Sequence, residues 1–89
     1  MDPEERLRKA IGDIAERRNN VTIDEILAVI NTLGPNLTVK VRQTKHGVLV
    51  RIQDQIFHLC THHRGSKQLK TCYVDEFLDA MAELGLFED

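Results

Sequence analysis

The spacing of the apolar residues changes twice along this chain, and this constrains the fold more than any other feature. Up to Leu33, and again from Val74 onward, apolar residues recur every three or four positions, which is typical of amphipathic helices. Between Leu37 and Cys60 they recur at every second position, which is typical of strands with one buried face. The sequence therefore predicts helices on both sides of a small sheet, in a single domain over residues 1–89.

Three segments carry the helical spacing. The first starts at DPEE, where an N-cap and a proline at the first helical position favour a helix that runs to about residue 18. The second starts at the capping box TIDE and is stopped by a glycine and a proline. The third is expected from Thr71 or Cys72 to Leu84, with Asp75 and Glu76 in its first turn, where carboxylates complement the helix dipole.

The two-residue alternation predicts three strands, over 37–42, 48–52 and 57–60. The TKHG and QDQ connections are short enough for hairpins, so an antiparallel meander is expected. The fold class is then α+β with the order α-α-β-β-β-α, a three-stranded antiparallel sheet with the helices packed on one face. The other face should carry Lys40, Arg42, Arg51 and His58, joined by His62 if the last strand continues that far.

The net charge of −2 hides a strong partition. Residues 36–72 contain seven Lys and Arg against one acidic residue, whereas 1–35 and 73–89 are acidic on balance. All four histidines lie in this basic segment. Clustered positive charge is typical of a phosphate-bearing partner, although an acidic protein would be attracted equally.

The segment RQTKHGVLVR combines the groups that cleavage of RNA without a metal requires. His46 lies in a hairpin turn and titrates near neutral pH, so it is a candidate acid or base. Arg42, Lys45 and Arg51 surround it as candidate phosphate ligands, and Gly47 allows close backbone approach. A turn histidine without any function is the simpler alternative.

A second basic segment, RGSKQLK, leads into the third helix. Its Arg64, Lys67 and Lys70, with a glycine, form the kind of loop that can hold a phosphate near a helix N-terminus. A solvated connection between a strand and a helix has the same composition, so the pattern alone does not decide between them.

A metal site is a further alternative, because His58, Cys60 and His62 alternate along one strand face. A fourth ligand would have to be Cys72 or His46, and the paired CxxC or HExxH spacing of metal sites is missing. Neither a metal nor another cofactor is therefore predicted. A catalytic Cys–His pair could be built on Cys60 or Cys72. The sequence, however, identifies no third residue that would orient the histidine of such a pair.

In their order and spacing, TIDEILAVINTLG, VRQTKHGVLVR, THHRGSKQLK and VDEFLDAMAELGL resemble the HicA-type mRNA interferase toxins. The resemblance covers residues 22–86 and leaves 3–18 as an extra N-terminal helix. It implies a double-stranded-RNA-binding-domain-like (dsRBD-like) fold and a metal-independent endoribonuclease of a toxin–antitoxin pair. It also implies His46 as the catalytic residue, His62 or His63 as a supporting one, and a HicB-type antitoxin as protein partner.

The sequence departs from the family where Thr44 and Lys45 replace the Gly-Ser that precedes the motif histidine. A non-catalytic module of the same fold, binding RNA or a protein, therefore stays open as the alternative. The chain starts without the apolar stretch of a signal peptide and has no run of roughly 18 apolar residues, so a cytoplasmic protein outside membranes is expected.

Overall fold

The computed structural model describes residues 3–33, 37–45, 47–61 and 66–87. Three helices and three strands follow one another in the predicted order, which confirms the α+β class. Their bounds are α1 Pro3–Glu16, α2 Ile23–Thr32, β1 Val39–Gln43, β2 Gly47–Ile52, β3 Gln55–Cys60 and α3 Thr71–Glu83. The predicted N-cap Asp2 and the stop at Gly34 and Pro35 lie outside the described residues.

The start of α2 is the capping box that the sequence predicts. The Glu25 backbone N–H donates to Thr22 Oγ1 at 3.3 Å, and the Thr22 backbone N–H donates to Glu25 Oε2 at 2.8 Å. Each side chain thus satisfies a backbone donor that a helix start leaves free. By contrast, α1 is shorter than predicted: it ends at Glu16, and a turn closed by the Asn20 N–H on the Arg17 carbonyl follows.

The strands form an antiparallel sheet in the order β1-β2-β3. The Thr44 N–H donates to the Gly47 carbonyl at 2.9 Å and closes the predicted β1–β2 hairpin. Gln53 and Asp54 make the two-residue β2–β3 turn, with Gln53 at a φ of 58°. Residues paired directly across the strands point to the same face, so the register assigns every side chain to one side of the sheet.

One face of the sheet and all three helices share a single hydrophobic core. Its strand side consists of Val48, Val50, Ile52, Phe57 and Leu59. The rings of Phe57 and Phe77 meet edge to face, with centroids 5.8 Å apart and planes at 68°. The first helix is not an appendage, since Ile11 and Ile14 are 0% and 3% exposed in the same core.

The acidic residues at the start of α3 do not lie where the helix-dipole argument predicts. Because α3 begins at Thr71, its first turn contains no carboxylate, and Asp75 and Glu76 fall in the second turn. Asp75 instead accepts a hydrogen bond from Arg18 Nη1 at 3.2 Å. This pair connects the segment after α1 to α3.

Candidate functional site

The side of the sheet that faces away from the helices carries most of the predicted binding residues, and we call it the outer face. The register pairs Lys40 with Arg51 and Arg42 with Leu49, so these four residues share that side. All three cations are exposed, as predicted. Its described members are Lys40, Arg42, Leu49, Arg51, Ile56, His58 and Cys60.

The cations of the outer face keep their charge unneutralised within the described residues. In the described part of the chain, no carboxylate lies within ion-pair distance of Lys40, Arg42 or Arg51. Arg51 Nε donates to the Gln53 carbonyl at 3.1 Å, which fixes its direction without neutralising its charge. The positive potential of this surface is therefore available to an anionic ligand.

Lys40 belongs to this face but was not among the phosphate ligands inferred from the sequence. The strand alternation places Lys40 on the same face as Arg42, with their Cα atoms roughly 7 Å apart along β1. The pairing with Arg51, which brings the third cation next to it, depends on the register of the hairpin. Lys40 lies six residues before His46 in the sequence, so its place in this set of cations follows from the sheet and not from proximity to His46.

The turn end of the sheet gathers the described neighbours of the proposed catalytic residues. His46 itself lies outside the described residues, as do His62, His63 and Arg64. On either side of His46, Lys45 is exposed and Gly47 pairs with Cys60, which precedes Thr61. Gly47, which follows His46, and Thr61, which precedes His62, thus lie at the same end of the sheet.

Gly47 is needed by the sheet itself. A Cβ at this position would run into the Leu59 carbonyl oxygen and would come within 3.1 Å of both the Cα and the Sγ of Cys60. The close backbone approach that the sequence indicates therefore comes from β3. A glycine at the first position of β2 is therefore no separate evidence for a ligand.

The basic loop before α3 is split between two places. Lys70 is exposed at the N-cap of α3, and its N–H donates to the Cys60 carbonyl at 3.4 Å, so it lies at the turn end of the sheet. Lys67 lies beside the start of α2, where its Nζ is 3.1 Å from Asp24 Oδ2. This exposed ion pair contributes little to the stability of the fold. It does show that Lys67 lies near the start of α2, whereas Lys70 lies at the turn end of the sheet.

Of the residues of the metal hypothesis, the structure describes His58, Cys60 and Cys72, while His46 and His62 lie outside the described residues. In the part of the chain that the structure describes, no three His, Cys, Asp or Glu side chains are placed to hold a metal ion. Cys60 is half-buried, Cys72 is exposed, and both are free thiols. A hydrogen bond to the Cys60 side chain raises the pKa of Tyr73, which places this tyrosine at the same end of the sheet.

No protein family, no curated protein and no solved structure matches this chain. The resemblance to HicA toxins and to the dsRBD-like fold therefore remains a prediction from the quoted segments. Within the described ranges, no helix is long and apolar enough to cross a membrane.

Proposed function

We propose that this chain binds RNA on the outer face of its sheet and cleaves it at the turn end with His46, as a cytoplasmic HicA-like toxin. The observation that carries the binding part is the set of exposed cations Lys40, Arg42 and Arg51 on one face, without a carboxylate partner among the described residues. Such a surface attracts the phosphates of a nucleic acid.

The composition of the outer face favours contacts with the RNA backbone over stacking. Aromatic residues make up only 4% of the chain, and none is a described member of this face. Leu49 and Ile56, the latter 61% exposed, offer an apolar surface for ribose and base edges. Binding of this kind tolerates many sequences and weakens with salt.

The cleavage part rests on the resemblance and on chemistry. His46 accepts the proton of a ribose 2′-hydroxyl, whose oxygen attacks the adjacent phosphorus while the 5′-oxygen leaves with a proton from a second group. His62 or His63 is the candidate for that second group. Lys45 and Lys70, both exposed at the turn end, hold the phosphate and stabilise its growing negative charge.

A HicB-type antitoxin is the protein partner that this proposal implies. Because Lys40, Arg42 and Arg51 have no carboxylate partner among the described residues, an acidic surface on the inhibitor would pair with them and exclude RNA. Masking this surface would silence the toxin without any change in its fold.

The decisive experiment compares the purified wild type with His46→Ala on RNA in the presence of a metal chelator, and compares their effect on growth. The wild type should cleave RNA and arrest growth, and His46→Ala should do neither while melting at the same temperature. His58→Ala is the matched control, because His58 is an exposed histidine of the outer face that has no proposed role in proton transfer.

The same experiment separates the alternative, a non-catalytic binding module. If the wild type binds RNA with an affinity that falls steeply with salt but never cleaves it, the outer face is a binding surface alone. The replacement of Gly-Ser by Thr44 and Lys45 would then explain the absence of cleavage. If the wild type neither binds nor cleaves RNA, the proposal fails.

A further inference from the structure

The free edge of β1 is the least protected part of the described sheet. The strand pairs only with β2, and four of its five residues are exposed. Packing between helices and sheet is concentrated where α3 contacts β3, at the opposite edge. Val41 is 48% exposed although its cross-strand partner Val50 is completely buried. Within the described chain, the helices thus cover Val39 in part but leave Val41 and the free edge of β1 exposed.

The hydrogen bonds of the hairpin show which backbone groups lie on that edge. The Thr44 N–H bonds to the Gly47 carbonyl, and the Gln53 N–H bonds to the Thr38 carbonyl. In an antiparallel pair, every second residue bonds to the neighbouring strand. Val39, Val41 and Gln43 therefore direct their N–H and C=O groups away from β2, toward the free edge.

The two faces of β1 have opposite chemistry. Val39 and Val41 lie on the helix side, beside the buried residues Ile52 and Val50 of β2. Lys40 and Arg42 lie on the outer face without carboxylate partners in the described chain. A strand added at this edge would place alternate side chains against the core and against two cations.

We propose that the β1 edge is a docking site for an extended segment of a partner protein in which apolar and acidic residues alternate. The backbone of that segment bonds to Val39, Val41 and Gln43 and extends the sheet to four strands. Its apolar side chains cover Val41, and its carboxylates pair with Lys40 and Arg42. This inference does not rest on RNA cleavage.

A second copy of this chain is a less suitable occupant of the edge than an acidic segment. An antiparallel pairing of two β1 strands about Val41 would put Lys40 directly opposite Arg42 of the other copy, twice, and like charges in such positions destabilise a sheet. The β3 edge is also less suitable, because Lys70 already donates to the Cys60 carbonyl and Leu69 pairs with Thr61 at its end.

The test uses a short capped peptide of alternating valine and glutamate, with the lysine version of the same peptide as its control. The glutamate peptide should bind the full chain and slow the hydrogen exchange of the Val39, Val41 and Gln43 amides. Val41→Pro removes an edge N–H that does not bond to β2, so it should keep the hairpin and lower the affinity at least about tenfold. Val41→Ile, which keeps the N–H and an apolar branched side chain, should bind like the wild type.

A charge reversal makes the test independent of the proline. Lys40→Glu combined with Arg42→Glu should lose the glutamate peptide and bind the lysine peptide instead. The proposal is overturned if neither peptide binds or if the wild type binds both peptides equally. It is also overturned if the amides protected from hydrogen exchange lie on β3, or if the chain forms a dimer that Val41→Pro abolishes. Val41→Pro keeps both cations, so RNA binding by this variant separates a failure of this proposal from a failure of the RNA function.

Discussion

Glu25 and Arg17 join the first two helices, with Glu25 Oε1 2.9 Å from Arg17 Nη2. The other carboxylate oxygen of Glu25 accepts the Thr22 backbone N–H at 2.8 Å. Arg17 also binds Asp13, one turn back in α1, at 2.8 Å. A single carboxylate therefore both caps α2 and ties it to the segment that follows α1.

This arrangement predicts a pH-dependent contribution to stability. The Thr22 N–H and the Arg17 guanidinium lower the pKa of Glu25. Glu25 therefore stabilises the fold above its unfolded-state pKa of about 4.3, and this contribution is lost as the pH falls through the lowered pKa of the folded state. Glu25→Gln keeps an oxygen that can accept the Thr22 N–H but loses the negative charge. It should therefore lower the free energy of unfolding by at most about 1 kcal/mol at neutral pH, because the hydrogen bond loses its charge and the partly exposed ion pair with Arg17 is broken.

Chemical denaturation across the acid range checks this prediction. The difference between the wild type and Glu25→Gln should shrink as the pH falls. Glu76→Gln is the matched control, since Glu76 is exposed on α3, and its curve should follow the wild type throughout. A difference for Glu25→Gln that is equal in acid and at neutral pH would contradict the assignment.

Two glycines should respond in opposite directions to the same substitution. Gly47→Ala forces a Cβ against the Leu59 carbonyl and should lower the free energy of unfolding by about 1–3 kcal/mol. Gly12→Ala lies in the middle of α1 with no atom within 4 Å of the new methyl group, and it should raise stability by about 0.5–1 kcal/mol. Melting temperatures of the two variants measure both effects; a Gly47→Ala protein as stable as the wild type would show that β2 and β3 can separate at that point.

Local signals predicted the elements of this fold because each has a local physical cause. The capping box at Thr22 and Glu25 starts α2 through contacts three residues apart, and the short TKHG connection closes a hairpin. The alternation of polar and apolar residues placed Lys40, Arg42 and His58 on the correct side of the sheet. None of these features needs knowledge of the tertiary packing.

The features that were missed depend on how the elements meet. The ion pair between Arg17 and Glu25 requires the orientation of α1 against α2, and the pairing of Lys67 with Asp24 requires the path of the loop before α3. Asp75 was assigned to the helix dipole, but its neighbour is Arg18, which lies 57 residues earlier in the chain. Spacing along the sequence holds no information on such contacts.

Burial of the first helix predicts that it cannot be detached from the rest of the domain. Ile11 is fully buried in the common core, so Ile11→Ala should lower the free energy of unfolding by about 2–4 kcal/mol. Lys9→Ala, at an exposed position of the same helix, should change it by less than about 0.5 kcal/mol. Urea denaturation followed by circular dichroism measures both; separate unfolding of α1 before the sheet would contradict a single core.

The outer face predicts a defined response of RNA binding to salt. Each phosphate contact to single-stranded RNA steepens the fall of log affinity with log salt concentration by about 0.7. Lys40→Gln combined with Arg42→Gln should therefore reduce that slope by about 1.4 and weaken binding similarly for different RNA sequences. The matched control is Arg6→Gln combined with Lys9→Gln, which removes the same charge from exposed positions of α1. Fluorescence anisotropy at several salt concentrations measures the affinities of both double variants. If the slope of log affinity against log salt concentration falls equally in both, the net charge of the protein, and not the outer face, attracts the RNA.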